Sequence, residues 1–189
     1  MKEENNYNAN RSDESTSGSF ALFTDASLNQ GSKCGVGVFL IIPSSLLALP
    51  PENIKKPEIV KSVRVRRFKS TSSTKLEVQT ALWGIQSFHE TLNISSKNKL
   101  SVYCDSQCIA GLPERRSRLE AAGFCSKGSK KLLNHADLYR RFYELQDALG
   151  FDVIKVTGHS RSSSHDTVHR IFSFVDRTAR KELKSLITE

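Results

Sequence analysis

The chain has 189 residues, of which 38% are hydrophobic and 25% charged, and it carries a formal net charge of +8. That length suits one domain able to bury a core. No apolar run approaches the roughly 20 residues of a membrane-spanning helix, so no membrane partner is expected, and the polar start does not read as a secretory signal. Cys34, Cys104, Cys108 and Cys125 form no CxxC pair, so they are expected as buried reduced thiols, with a cytoplasmic location by default.

Residues 1–18, rich in Asn and Ser, are expected to be a disordered tail that cannot bury enough apolar surface to fold. Residues 19–189 are then the folded domain. Two apolar stretches, 20–25 and 34–42, flank a turn-forming segment, 27–33, and read as a hairpin. Pro43, Pro50, Pro51 and Pro57 mark a long loop that cannot be central strand. Residues 59–68 alternate in polarity and predict a third strand. After the Ser/Thr cluster at 70–74, which offers helix caps, Val78, Ala81, Leu82, Ile85 and Phe88 recur at helical spacing to about Leu92.

Residues 100–105 predict a fourth strand, apolar enough to be buried on both faces. Gly111-Leu112-Pro113 is expected to end a short helix, with a further helix over 115–122 and a loop over 123–128. Leu138, Phe142, Leu145 and Leu149 mark an amphipathic helix that Gly150 should terminate. Residues 153–156 predict a fifth strand, 158–166 a Ser-rich loop, and the last helix carries Ile171, Phe172, Val175, Ala179, Leu183 and Leu186. The predicted order is βββαβ, a basic helical insert, then αβα: an α/β chain with one mixed sheet flanked by helices.

Much of the positive charge falls in that insert. Between residues 114 and 141, eight basic residues (Arg115, Arg116, Arg118, Lys127, Lys130, Lys131, Arg140 and Arg141) face three acidic ones (Glu114, Glu120 and Asp137), a net of +5. Such a concentration suits a polyanionic partner, because neutralising phosphates releases counterions; a solvated helix face fits the charge equally well.

Four carboxylates are placed where secondary structure could gather them. Asp25 is expected to close the first strand and Asp105 the fourth, while Glu77 opens the first long helix and Asp176 lies within the last. Clustered carboxylates must share protons or bind cations. Mg²⁺ prefers hard oxygen ligands and keeps water positions open for a substrate phosphate. Two such ions, roughly 3.5–4 Å apart, would activate a water and stabilise the leaving oxygen of a phosphodiester displacement, and Mn²⁺ could substitute for them. Ordinary strand-end and helix-cap carboxylates account for the same spacing.

Six short motifs, in order from Phe20 to about Leu186, resemble the type 1 ribonuclease H family within the ribonuclease H-like superfamily. Phe23-Thr24-Asp25-Ala26-Ser27 resembles its strand-end Asp-Gly-Ser, and Ser73-Thr74-Lys75-Leu76-Glu77 its Asn-Asn-Arg-Met-Glu helix start. Val102-Tyr103-Cys104-Asp105-Ser106-Gln107 is similar to its Thr-Asp-Ser-Gln segment, and Asp137-Leu138-Tyr139 to its Asp-Leu-Trp. Val156-Thr157-Gly158-His159 resembles Lys-Gly-His, and Val175-Asp176-Arg177-Thr178-Ala179 resembles Asp-x-x-Ala.

The resemblance implies a five-stranded mixed sheet in order 3-2-1-4-5 and a two-metal endonuclease. That enzyme would cut the RNA strand of an RNA–DNA hybrid, leaving 5′-phosphate and 3′-hydroxyl ends. It implies Asp25, Glu77, Asp105 and Asp176 as the metal-binding catalytic set, and His159 as a mobile-loop histidine that helps protonate or release product, a task an imidazole suits near neutral pH. His165 and His169 are rivals for that task.

By the same resemblance the basic insert is a handle that grips the DNA strand through Lys127, Lys130 and Lys131, and Tyr139 lines the DNA groove. Ser73, Thr74 and Gln107 are candidates for sugar and backbone contacts, which position a duplex without reading bases.

The chain departs from the pattern at Ala26, where the family has Gly, and at Ser73-Thr74, where it has two Asn. Residues 43–56 read as an insertion placed away from the metal site, and the loop over 159–176 as longer than usual. A monomer is the default. Two other readings stay open: a related nuclease acting on duplex DNA or duplex RNA, and a nucleic-acid-binding module without catalysis.

Overall fold

The computed structural model describes residues 18–69, 71–91, 98–157 and 166–188. The elements in order are β1 (Ser19–Asn29), β2 (Cys34–Pro43), two short 3-10 turns (Ser44–Ala48 and Pro51–Asn53), α1 (Lys56–Ser62), β3 (Val63–Phe68), α2 (Ser73–Thr91), β4 (Lys99–Cys104), α3 (Gln107–Ala110), α4 (Leu112–Ala121), α5 (Ala136–Leu149), β5 (Asp152–Lys155) and α6 (Thr167–Thr188). The strands form one mixed sheet in the order β3-β2-β1-β4-β5. β1 pairs antiparallel with β2 and parallel with β4. The fold class and strand order are therefore those expected.

The period-two alternation of each strand divides the core in two. Leu22, Phe39 and Val102 pack with the buried residues of α2 and α5 on one face. Ala21, Phe23, Val36, Val38 and Leu40 pack with Ile171, Val175 and Ala179 of α6 on the other. Such burial is worth about 1.5–3 kcal/mol for each large apolar side chain, and it holds α2 and α6 in register across the sheet.

α2 approaches β2 through glycine. A Cβ on Gly37 would lie 2.1 Å from Thr80 Oγ1, and one on Gly35 would lie 2.4 Å from Leu76 Cδ2. The missing side chains therefore set the height of α2, and with it Glu77, which sits between those two contact residues. Gly37→Ala should lower unfolding stability by about 1–3 kcal/mol through overpacking, as chemical denaturation would show; an unchanged midpoint would mean that the helix is not seated by this contact.

Several expected boundaries shift for local reasons. Residues 56–62 form α1 rather than the start of β3; Pro57 falls in its first turn, where a fixed φ favours helix, and Ile59 turns into the core while Val60 stays exposed. Pro113 opens α4 rather than closing the helix before it. α2 begins at Ser73, and Ser72 of the Ser/Thr cluster accepts from the Lys75 N–H at 3.3 Å, the helix cap that was expected there. Gly150 ends α5 as expected, with φ of 62° in the left-handed region where glycine carries no Cβ penalty. The insertion over 43–56 was expected away from the site. It packs instead beside α6: Thr167 Oγ1 donates to the Leu49 carbonyl, and Pro51 and Ile54 border a groove that also contains Asp176.

Candidate active site

β1 and β4 together place the first two carboxylates. Their parallel pairing ends at Phe23 and Tyr103, whose rings stack at 4.7 Å. Two residues further on, the pleat brings Asp25 and Asp105 to the same face, towards α6. Asp25 does not close its strand as expected. β1 continues to Asn29 against β2, so Asp25 lies at the point where β4 leaves its side, an opening between strands of the kind that holds ligands in α/β sheets.

α6 supplies the third. Val175 and Ala179 are fully buried, which turns the intervening Asp176 towards Asp25, with which it shares a hydrogen bond. Arg180, one turn on, is 2.7 Å from Asp176 Oδ1. Burial, then the charge of Asp105, push the Asp25 carboxyl up to about 8; the Ala26 backbone N–H opposes this, and Asp176 adds to it. Two carboxylates this close cannot both ionise cheaply, and a shared proton resolves the conflict.

Glu77 reaches the same end of the sheet from the opposite face. Ser73 Oγ donates to its Oε1 at 3.1 Å and Ser106 Oγ to its Oε2 at 2.5 Å. Ser106 also caps α3 by accepting from the Ile109 N–H. It thereby ties the residue after Asp105 to the carboxylate of α2. Gln107 is exposed beside it and is bonded to Lys155 Nζ of β5, and Thr74 is partly buried in the first turn of α2. Burial pushes the Cys104 thiol up to about 12, so it remains a neutral core side chain.

The donor set is all hard oxygen, and burial with the charge of Asp105 raises the proton affinity of Asp25, a conflict that a cation would relieve. In kind, these residues fit Mg²⁺. In placement, no group of three or more His, Cys, Asp or Glu among the described residues is gathered as a ready set of metal ligands; the carboxylates are instead held by one another, by Ser73 and Ser106, and by Arg180.

Other expected residues fall elsewhere. His159 and its rival His165 lie outside the described residues. The remaining rival, His169, has its Nδ1 2.7 Å from Asp166 Oδ1 at the start of α6. Tyr139 does not line a groove: it is 8% exposed, with its hydroxyl 3.6 Å from Cys108 Sγ, and burial and that contact raise its phenol to about 12. Lys127, Lys130 and Lys131 are exposed on a turn closed by the Cys125–Leu132 bridge. The arginines beside them are largely committed within the protein. Arg115 donates to the Gly111 and Cys108 carbonyls, Arg116 is held by Glu120 and Asp147, Arg140 lies over Phe124 and Arg141 contacts Glu144.

Sequence reasoning missed Ser106, Lys155 and Arg180. The first was within reach as the hydroxyl next to Asp105; the other two depend on which elements become neighbours. Ser106→Ala should lower kcat about tenfold or more with KM little changed, because it frees Glu77 without removing it. Ser106→Thr should restore most of the loss, and if Ala and Thr behaved alike the clamp would have no part in positioning.

No protein-family model matches the sequence, and no curated protein matches it significantly. Solved structures do match. A foamy viral protease-reverse transcriptase in complex with dsDNA aligns over 86% of this chain and 95% of its own, with a TM-score of 0.54 and 12% identity. A foamy viral protease-reverse transcriptase in complex with an RNA/DNA hybrid aligns over 87% of this chain and 20% of its own, with a TM-score of 0.56 and 12% identity. Identity that low speaks to architecture alone. Together with the five-stranded 3-2-1-4-5 sheet and its flanking helices, it establishes that this chain has a ribonuclease H-like fold.

Proposed function

We propose that the chain is a metal-dependent endonuclease that hydrolyses the RNA strand of RNA–DNA hybrids, acting as a monomer and leaving 5′-phosphate and 3′-hydroxyl ends. The observation that carries this reading is the placement of Asp25, Asp105 and Asp176 at the point where β1 and β4 part, where burial and then the neighbouring charges raise the Asp25 carboxyl to about 8. A surface that only bound nucleic acid would gain nothing by turning carboxylates towards phosphate. The solved structures similar in fold are described as complexes with dsDNA and with RNA/DNA hybrid, which supports a nucleic-acid substrate.

Asp25, Glu77, Asp105 and Asp176 would hold Mg²⁺, two ions with Mn²⁺ as a substitute, which supplies water activation and leaving-oxygen stabilisation when bound. The protein's own groups do the positioning. Ser73 and Ser106 orient Glu77, and Arg180 fixes Asp176. Lys127, Lys130 and Lys131 attract the phosphate backbone, while Ser73, Thr74 and Gln107 stand near the cluster for sugar and backbone contacts. His159 would carry the proton to the leaving oxygen.

The test is to incubate the full chain with Mg²⁺ or Mn²⁺ and labelled RNA–DNA hybrid, duplex RNA and duplex DNA in parallel. Cleavage of the RNA strand of the hybrid, with the duplexes intact, is the expected result. Equal or faster cutting of duplex DNA or RNA would overturn the hybrid assignment, and tight binding without any cleavage would reduce the protein to a binding module.

A further inference from the structure

The insert is not the only concentrated positive charge. Lys61, Arg64, Arg66, Arg67 and Lys69 fall within nine residues that contain no acidic side chain, a net of +5. Three of them, Arg64, Arg66 and Arg67, belong to β3, which among the described residues pairs only with β2, and all five are exposed. Edge strands use charge to resist unwanted pairing, but that purpose needs only a charge or two. Two of the arginines are fixed by neutral groups. Arg64 Nη1 donates to the carbonyls of Lys61 and Val63 at 3.0 and 3.1 Å, and the Arg66 guanidinium lies 4.4 Å from the centre of the Trp83 ring. Neither contact cancels the positive charge.

The register sets this strand beside the carboxylates. Asp25 pairs with Val38, and Val38 with Val65, so Asp25 and Val65 lie on one line across the sheet. Two strand spacings separate them by about 10 Å. Arg64 and Arg66 flank Val65 but project on the α2 face, where Arg66 meets Trp83; Arg67, opposite Val36, projects on the α6 face. On that face a groove runs between β3 and α6, and its walls include Val63, Val65, Asp176, Arg177 and Lys181. The groove therefore joins the cationic strand to one of the clustered carboxylates. α3, which leads into the basic insert, packs against β5 at the opposite edge.

We infer that the β3 edge is a second phosphate-binding surface, gripping a nucleic-acid backbone on the side of the carboxylate cluster away from the insert. Measured along a duplex axis, about 10 Å corresponds to about three phosphates of one strand. The choice of nucleic acid over other polyanions rests on the nuclease reading above; the charge, its exposure and its register do not.

The test compares the full chain with Arg64→Gln/Arg66→Gln/Arg67→Gln and with the matching triple Lys variant. Binding to RNA–DNA hybrid is measured in EDTA between about 50 and 200 mM salt. The Gln triple should bind at least about tenfold more weakly, and its slope of log affinity against log salt should flatten by about 2–3. The Lys triple should keep the parent slope. An unchanged slope in the Gln triple, or an equal loss in the Lys triple, overturns the proposal. So does weaker binding to phosphatidylserine vesicles with hybrid binding intact, which would make the edge a membrane surface. If loss of the Trp83 stack unfolds the triple, Lys61→Gln/Arg64→Gln leaves that stack in place and must still flatten the slope by about 1–2. Failure of the nuclease reading would show as no cleavage by the parent protein on any substrate. Failure of this inference would show as an unchanged slope, whatever the parent cleaves.

Discussion

Asp105→Asn should lower hybrid cleavage by at least about 10²–10³-fold, the scale of losing one electrostatic stabiliser of a transition state, while hybrid binding in EDTA stays level or tightens. The substitution is nearly isosteric and falls at an exposed position just beyond β4, so the fold has little reason to change. It removes one of the charges acting on Asp25 and one repulsion against an approaching phosphate. Asp152→Asn serves as the control: that carboxylate is exposed at the start of β5, and its loss should leave the rate unchanged. Single-turnover cleavage and binding measured on the same preparations separate the two effects. More than a tenth of the parent rate in Asp105→Asn would remove Asp105 from the catalytic set.

Without divalent metal, the protein should lose stability as pH rises from about 4 to about 8. The ordinary aspartate value of 3.8 applies to the unfolded chain, and in the fold Asp25 sits at about 8. Between those values the folded protein holds a proton that the unfolded chain has released. The stabilisation is therefore complete below about pH 4, declines by up to about 1.4 kcal/mol for each pH unit across the window, and is gone above about pH 8. Asp25→Asn should flatten this decline and leave the protein more stable than its parent at pH 8. Denaturation in EDTA across that range provides the measurement, and equal slopes for parent and variant would show that Asp25 is not the group responsible.

Where sequence reading succeeded, the signal was local. Short apolar runs marked β1, β2 and β4, the spacing of Val78, Ala81, Leu82, Ile85 and Phe88 marked a helix, and Gly150 marked the left-handed stop of α5. It erred where a short segment satisfied two periods. Residues 59–62 read as the start of the third strand, yet Pro57 and the burial of Ile59 favour a turn of helix. Tyr139 was placed at a groove by resemblance of a three-residue motif, which does not say what covers the side chain; α5 packs on α2, and the ring is buried.

The sheet order and the choice of four carboxylates came from the family resemblance; by itself the sequence determined the α/β class and the number of strands and their succession along the chain. Those features arise from neighbours in the chain, where backbone periodicity governs. Only the tertiary structure decided how the carboxylates meet. Asp25 stands beside Asp105 because Phe23 pairs with Tyr103, and the burial of Val175 and Ala179 turns Asp176 towards them. Ser106 can hold Glu77 only because Gly35 and Gly37 let α2 lie close on β2. The raised proton affinity of Asp25, the grip of Ser106 and the line from Asp25 to the cations of β3 are through-space effects between residues far apart in the chain. Each depends on distances of a few ångströms, which are set by packing across the sheet and leave no mark in local sequence.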